Sequence, residues 1–163
     1  MPYLEVMIPS TTIFEILFDD ETPTIITVNN EKAYLLTNIS LDIRDELNKM
    51  DKVIIITGPT AVGKTKCSLS IAERLKTEII NGDAYQIYKG MDVGTAKPTK
   101  EELSKIKHHL MDYLDPLENF SVADYQKIVR TKIEEFKNNN LIPLIVGGSG
   151  LYLESVICNY TFD

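Results

Sequence analysis

The sequence predicts an α/β fold in which helices cover both faces of a parallel sheet. From residue 51 onward, short β-branched runs alternate with amphipathic segments of helical spacing, a pattern typical of parallel sheets. One strand-like run leads into a helical segment through a glycine loop at residues 58–65. A second glycine cluster, at residues 147–150, follows another apolar run. Glycines thus mark the points where predicted strands pass into helices.

The loop at residues 58–65 matches the phosphate-binding pattern G-x-x-x-x-G-K-T at every position. In such a loop, backbone N–H groups and a helix N-terminus converge on an anion. We therefore predict a three-layer fold of the P-loop NTPase-like type. Lys64 is expected to reach the terminal phosphates, and Thr65 to bind Mg²⁺ through its hydroxyl. The predicted site comprises Gly58, Pro59, Thr60, Ala61, Val62, Gly63, Lys64 and Thr65.

The bulk composition is that of a globular domain, with 163 residues of which 44% are apolar. The apolar runs are much shorter than the ~20 residues of a membrane span, and the N-terminus lacks a basic segment followed by an apolar one. Cys67 and Cys158 show no metal-binding or redox spacing and are interpreted as reduced core residues. We expect a cytoplasmic protein that does not contact a membrane.

The first 50 residues differ from the rest in charge. They hold nine acidic and three basic residues, a balance of −6, whereas residues 51–163 hold fifteen and fourteen, a balance of −1. Strands are predicted at residues 11–17, 24–28 and 32–36, and a short helix at 41–47. We interpret residues 1–50 as a small β-rich appended segment of unknown role, and residues 51–163 as the P-loop domain.

The P-loop domain is predicted to continue the alternation of strands and helices. Residues 121–124 resemble a capping box, with Asp124 in place of the usual Glu. The helix that they open has an apolar face formed by Tyr125, Ile128, Val129, Ile133 and Phe136. The predicted strands span residues 53–57, 78–81 and 143–146, and the predicted helices follow the loop and span 99–107, 122–137 and 151–158.

Asp83 follows the strand predicted at residues 78–81 and is expected to face the ligand. Its carboxylate could hold magnesium or accept a proton from an incoming nucleophile, or it could form an Asx-turn or helix cap. Tyr85 and Gln86 could stack on a base and bond its edge, although each alone is typical of a surface residue.

No acidic residue follows the strand at residues 143–146, which argues against an ATPase or GTPase because those enzymes place a magnesium-binding Asp there. Residues 147–150 offer N–H groups and the Ser149 hydroxyl to an anion or a base, or form a plain strand-to-helix turn. The adjacent His108 and His109 have no Cys or third His near them in the sequence, so we expect packing rather than a metal site. Ligands bind beyond the carboxyl ends of parallel strands; the loop at 58–65, the Asp83 turn and residues 147–150 are therefore expected to line one cleft.

Several of these motifs, in this order, resemble the tRNA dimethylallyltransferase (isopentenyltransferase) family. The most specific is Tyr88-Lys-Gly-Met-Asp-Val-Gly-Thr-Ala-Lys-Pro98. The resemblance covers about residues 52–158 and does not include residues 1–50. The motifs that carry it lie at residues 58–65, 78–83, 86–98, 108–110, 115–116, 120–124 and 143–152.

The resemblance implies transfer of a dimethylallyl group from dimethylallyl diphosphate to N6 of the adenine 3′-adjacent to the anticodon of a tRNA. The loop would then hold a prenyl diphosphate, with Lys64 stabilising the departing diphosphate and Mg²⁺ near Thr65. Asp83 matches the proposed catalytic base, and Ser149 matches a position that is usually Thr. The partners implied are dimethylallyl diphosphate and the tRNA anticodon stem-loop, contacted by Asp83, Ala84, Tyr85, Gln86 and Ser149, in an enzyme that is monomeric at full length.

The chain departs from the family in three ways. It has Asn81-Gly82-Asp83-Ala84 where Ser-Ala-Asp-Ser is common, and Lys107 where Pro is usual. Family members also continue for roughly another 150 residues, so we expect this chain to be a fragment with an incomplete fold.

Two alternatives stay open: a small P-loop kinase or NTPase that binds ATP, and a non-catalytic remnant whose residues 1–50 form an interaction module.

Overall fold

A computed structural model of the chain describes residues 12–19, 22–29, 32–36, 52–57, 63–92, 94, 96–157 and 160–162. Its described strands form one sheet in the order β3-β2-β1-β4-β7-β5-β6. In chain order they are β1 Thr12–Asp19, β2 Thr22–Asn29, β3 Lys32–Leu36, β4 Lys52–Thr57, β5 Ile79–Asn81, β6 His108–His109 and β7 Leu144–Val146. The described helices are α1 Lys64–Leu75, α2 Lys100–Lys105, α3 Val122–Asn138 and α4 Gly150–Ile157.

The strands β4, β7, β5 and β6 are parallel neighbours, as the alternation of strands and helices predicted. Ile55 of β4 and Ile80 of β5 both pair with Ile145 of β7, so β7 lies between strands that come earlier in the chain. Ile80 pairs in turn with His109 of β6. This arrangement brings the carboxyl ends of β4, β7 and β5 side by side.

Side chains of β4 alternate between the two faces of the sheet, and both faces are covered. Val53 and Ile55 pack in a cluster with residues of α3 and α4. Ile54 and Ile56 pack in a second cluster with residues of α1. A strand buried on both faces has a continuous apolar sequence rather than an alternating one, which explains the β-branched run before the loop. The result is the predicted three-layer architecture.

The N-terminal strands continue the same sheet. β1 and β2 are antiparallel, as are β2 and β3, whereas β1 lies parallel to β4 from Thr12↔Lys52 to Leu17↔Thr57. The three strands predicted in residues 1–50 are therefore confirmed, with slightly different ends. The helix predicted at 41–47 lies outside the described residues, and the domain division at residue 50 stays a prediction.

One predicted element needs correction, and one strand is new. The helix predicted at 99–107 is shorter, because Ile106 already has an extended backbone with φ −131° and ψ 133°. The chain then forms β6 against β5, a strand that the sequence did not predict. The capping box at residues 121–124 is confirmed: the Ser121 hydroxyl accepts from Asp124 N, and the Asp124 carboxylate accepts from Ser121 N.

The structure also bears on the cysteines and on membrane contact. Cys67 is half-buried and free, and burial raises the pKa of its thiol to about 11. Cys158 lies outside the described residues. Among the helices that the structure describes, none has the length and apolar character needed to cross a bilayer.

Candidate active site

A cleft of about 300 Å³ opens at the carboxyl ends of β4, β5 and β7. Gly63, Lys64 and Thr65 line it from the start of α1, Asp83 from the end of β5 and Gly147 from the end of β7. The expectation that the three strand ends share one cleft is confirmed for the described residues. Residues 58–62 of the loop lie outside them. The other lining residues include Gln86, Ala96, Pro98, Glu102, His108 and Met111.

The described end of the phosphate loop needs a glycine for its backbone conformation. Gly63 has φ 92° and ψ 14°, in the left-handed region, and is the N-cap residue of α1. An added Cβ would meet nothing within 4 Å, so the requirement is conformational rather than steric. The turn directs the chain into α1, whose N-terminal residues Lys64 and Thr65 line the cleft.

Lys64 and Asp83 interact electrostatically across the cleft. Burial lowers the pKa of the Lys64 ammonium, and the negative charge of Asp83 opposes that effect. The two residues come from different strand–helix connections. Their proximity therefore depends on the order of strands in the sheet.

The Asp83 carboxylate is held by its own turn. Its Oδ1 accepts hydrogen bonds from Tyr85 N at 2.9 Å and Gln86 N at 3.4 Å. These bonds form an Asx-turn, which the sequence had suggested as an alternative to a chemical role. Among the described residues, Oδ2 accepts no hydrogen bond. The turn and a chemical role are compatible here, because the turn fixes the carboxylate within the cleft.

The glycine cluster after β7 proves to be a site of close backbone packing. Gly147 N donates to Ile56 O at 3.0 Å, and Ser149 N donates to Gly82 O at 3.3 Å. A Cβ on Gly147 would lie 2.1 Å from the carbonyl carbon of Gly82. These two N–H groups are thus used by the backbone, as in a strand-to-helix turn. An anion- or base-facing role for the rest of residues 147–150 stays a prediction.

The Ser149 hydroxyl connects the two glycine turns. Its Oγ accepts a hydrogen bond from Ala84 N at 2.8 Å, which places it directly beside the Asp83 turn. Tyr85 is 64% exposed, whereas Gln86 lines the cleft. The predicted segment from Asp83 to Gln86 therefore borders the cleft together with Ser149.

The adjacent histidines differ in their surroundings. His109 Nε2 lies 2.5 Å from Glu78 Oε2, and its ring packs edge-on against Phe136, so it is a packing residue as expected. His108 lines the cleft with Nδ1 2.7 Å from Ile106 O, and burial lowers its pKa. The part of the chain that the structure describes contains no group of three or more His, Cys, Asp and Glu side chains that could hold a metal.

Lys97 lies between Ala96 and Pro98, two residues that line the cleft. Its Nζ donates to Tyr88 O at 2.6 Å and Asp92 Oδ1 at 3.0 Å, and it also bonds Asp112. Burial alone would lower the pKa of Lys97, but the hydrogen bonds to Asp112 and Asp92 outweigh burial and raise it. The sequence did not indicate these contacts of Lys97 or the position of His108 in the cleft, because both depend on the folding together of distant parts of the chain.

Comparison with known proteins relates these features to a family. Residues 86–163 match the family model described as IPP transferase. A tRNA dimethylallyltransferase of Bacillus velezensis is 56% identical over 115 residues, which are 71% of this chain and 37% of that protein. Over these residues the chain is similar to the IPP transferase family.

Solved structures of IPP transferases agree with the sequence match. The tRNA isopentenylpyrophosphate transferase of Bacillus halodurans is 49% identical with a TM-score of 0.65, over 69% of this chain and 37% of that one. A eukaryotic dimethylallyltransferase acting on tRNA is 32% identical with a TM-score of 0.63, over 68% of this chain and 27% of that one. The P-loop NTPase-like fold is thereby confirmed. The chain spans little more than a third of the length of the curated relatives that it matches, 37% for the B. velezensis protein.

Proposed function

We propose that this chain forms the diphosphate- and adenine-binding part of an enzyme that transfers a dimethylallyl group from dimethylallyl diphosphate to N6 of the adenine 3′-adjacent to a tRNA anticodon. The observation that carries the proposal is the placement of Lys64 and Asp83 in one cleft at three adjacent strand ends. This arrangement provides a cation for a leaving diphosphate and a carboxylate for a proton. The relatives named tRNA dimethylallyltransferase support the same chemistry.

The diphosphate would lie against the N-terminus of α1. The Lys64 ammonium and the amides of the loop, residues 58–65, would hold its oxygens, and their attraction would strengthen as negative charge develops on the departing group. Mg²⁺ suits this position because it is typically bound by one or two protein oxygens together with phosphate oxygens and water. Thr65 would supply such an oxygen from within the cleft, and bound Mg²⁺ would neutralise part of the diphosphate charge.

Asp83 would act as the base in a single displacement. The lone pair of adenine N6 forms a bond to C1 of the dimethylallyl group while the bond from C1 to the diphosphate oxygen breaks. The N6 proton passes to the Asp83 carboxylate, and the diphosphate leaves with the electron pair of the broken bond. The Asx-turn bonds from Tyr85 N and Gln86 N would keep that carboxylate oriented during proton transfer.

The adenine would lie beside the segment from Asp83 to Gln86. Tyr85 presents an exposed aromatic ring for stacking, Gln86 lines the cleft, and the backbone of Ala84 is tied to the Ser149 hydroxyl. The partner would be a tRNA anticodon stem-loop. We further propose a monomeric cytoplasmic enzyme at full length, with residues 1–50 appended to the P-loop domain.

A binding titration tests the diphosphate site against the alternative of a kinase or NTPase. We expect the chain to bind dimethylallyl diphosphate more tightly than ATP in calorimetric titrations with Mg²⁺ present. Lys64→Ala should weaken diphosphate binding by about tenfold to hundredfold, because a charge-assisted bond to phosphate is lost. Lys127→Ala is the matched control, since Lys127 is an exposed lysine of α3, and its affinity should equal that of the wild type. Tighter binding of ATP accompanied by hydrolysis, or unchanged affinity in Lys64→Ala, would contradict the proposal.

A further inference from the structure

Asn81 is a buried polar residue at the carboxyl end of β5, only 1% exposed. Its side chain has complete hydrogen bonding for both donors. Nδ2 donates to Asp83 O at 2.9 Å and to Leu110 O at 3.0 Å, and Oδ1 accepts from Asp83 N at 3.0 Å. A buried amide with this many partners is a fixed part of its surroundings.

These bonds hold the backbone of Asp83 from both sides. The N–H and the C=O of Asp83 both bond the Asn81 side chain, and the next N–H, of Ala84, bonds Ser149 Oγ at 2.8 Å. Three consecutive backbone groups around the carboxylate are therefore fixed by two side chains. The Asx-turn through Oδ1 of Asp83 then sets the direction of the carboxylate relative to that backbone.

The second hydrogen bond of Asn81 Nδ2, to Leu110 O, connects the Asp83 turn to another wall of the cleft. Leu110 has φ 60°, an uncommon value for a residue other than glycine, and it precedes Met111, which lines the cleft. Asn81 is itself supported from behind, because the hydroxyl of the fully buried Tyr125 donates to Asn81 O at 2.8 Å. Asn81 thus connects the Asp83 turn and Leu110 through its side-chain amide, and α3 through its backbone carbonyl.

We propose that Asn81 is a positioning residue, which holds the Asp83 carboxylate and the Leu110–Met111 wall in one geometry so that proton transfer from the nucleophile is efficient. This inference rests on the proposed function, in which Asp83 is the base. Asn81 acts through the backbone of Asp83 and is not expected to touch the substrate. Misplacement of a reacting group by about 1 Å costs up to about a hundredfold in rate, so loss of the tie should affect the rate more than binding.

The test compares three variants of the chain. Asn81→Ala removes all the side-chain bonds. Asn81→Ser keeps a hydroxyl that can accept from the N–H two residues on, which restores the bond to Asp83 N but not the bond to Leu110 O. Thr77→Val is the matched control: Thr77 is also buried, two residues before β5, and its hydroxyl donates to Ile142 O at 2.6 Å, outside the cleft.

Two quantities are measured for each variant: the kinetics of dimethylallyl transfer to an anticodon stem-loop, and the hydrogen exchange rate of the Asp83 amide. Asn81→Ala should lower kcat about tenfold to hundredfold with KM for dimethylallyl diphosphate within about twofold of the wild type. The Asp83 amide should exchange at least about tenfold faster, because its acceptor is gone. Asn81→Ser should recover part of both losses, and Thr77→Val should show neither.

An Asp83 amide that exchanges at the wild-type rate in Asn81→Ala would overturn the inference, as would equal losses of kcat in Asn81→Ala and Thr77→Val. If the wild-type chain transfers no dimethylallyl group, the proposed function fails for this chain. In that case the exchange rates of the Asp83 amide in the three variants decide the positioning inference by themselves.

Discussion

At the scale of single residues, the candidate site contains two opposite charges, Lys64 and Asp83, which different local structures hold in place. Lys64 stands at the first turn of α1, next to a glycine whose left-handed conformation starts the helix. Asp83 stands in a turn that its own carboxylate closes. Burial lowers the pKa of the Lys64 ammonium, and the negative charge of Asp83 opposes that effect.

The direction of this shift predicts the pH dependence of diphosphate binding. The protonated form of Lys64 binds the anion, so affinity should be complete below the pKa of Lys64 and decline as pH rises through it. Because burial lowers that pKa, the decline should begin at a lower pH than for an exposed lysine. Titrations with dimethylallyl diphosphate from about pH 7 to about pH 11 measure this decline, because that range includes the ordinary lysine pKa of ~10.4. Lys64→Ala should give weaker binding without this decline, and parallel profiles for wild type and variant would show that Lys64 is not responsible.

At the scale of elements, the ends of β5 and β7 are joined by contact between backbones rather than between side chains. Gly82 N donates to Val146 O at 2.8 Å, and Gly147 N donates to Ile56 O. Gly147 approaches Gly82 so closely that a Cβ on Gly147 would meet the Gly82 backbone, whereas a Cβ on Gly82 would first meet the Leu153 side chain, at 2.7 Å. This packing positions Ser149 beside Ala84 and thereby sets the distance between the two turns.

Gly147→Ala should destabilise the protein strongly for that reason. The added Cβ would lie 2.1 Å from the carbonyl carbon of Gly82 and 2.6 Å from Asp83 N, and backbone atoms have no rotamer by which to move away. We expect a loss of about 3 kcal/mol or more in the free energy of unfolding, measured by urea denaturation. Gly150→Ala is the control, since an added Cβ there meets nothing within 4 Å. It should change stability by less than about 1 kcal/mol, and equal effects of the two substitutions would contradict the packing explanation.

The elements that the sequence predicted well are those specified locally. The helix α3 begins at a capping box and has an apolar face at helical spacing, and both signals lie within its own residues. The two-residue strand β6 has no such signal, because it exists only through its pairing with β5. The helix predicted at residues 99–107 was extended too far for the same reason: Ile106, Lys107 and the histidines follow the sheet instead of the helical pattern.

At the scale of the whole molecule, the order of strands creates the site. β7 lies between β4 and β5, which brings together chain segments that are more than 60 residues apart, such as Asp83 and Ser149. The N-terminal strands extend the same sheet on the other side of β4 through β1. The cleft therefore lies on the β7–β5–β6 side of β4, where His108 of the edge strand β6 also lines it.

The fold class and two residues of the site, Lys64 and Asp83, could be predicted because a motif or a strand end specifies them. The roles of Asn81, Lys97 and His108 could not, since each depends on partners that only the folded chain supplies: Leu110 for Asn81, Asp112 for Lys97 and the cleft itself for His108. For the same reason the glycines at 147–150 gave an ambiguous signal. The sequence shows only that these positions are glycine. The structure shows the reason at Gly147, where the backbone of Gly82 leaves no room for a side chain.

The central claim is that this cleft supports dimethylallyl transfer to adenine N6 with Asp83 as the base. The most direct measurement is single-turnover transfer of a labelled dimethylallyl group to an anticodon stem-loop, with the wild type, Asp83→Asn and the exposed control Asp115→Asn. Asparagine keeps an oxygen that can accept from Tyr85 N, so the turn should persist, yet it is too weak a base to take the N6 proton. We predict N6-linked product with the wild type and the control, at least about a hundredfold slower transfer in Asp83→Asn, and affinity for dimethylallyl diphosphate within about twofold in all three. Wild-type rates in Asp83→Asn, or loss of binding equal to loss of transfer, would contradict the account.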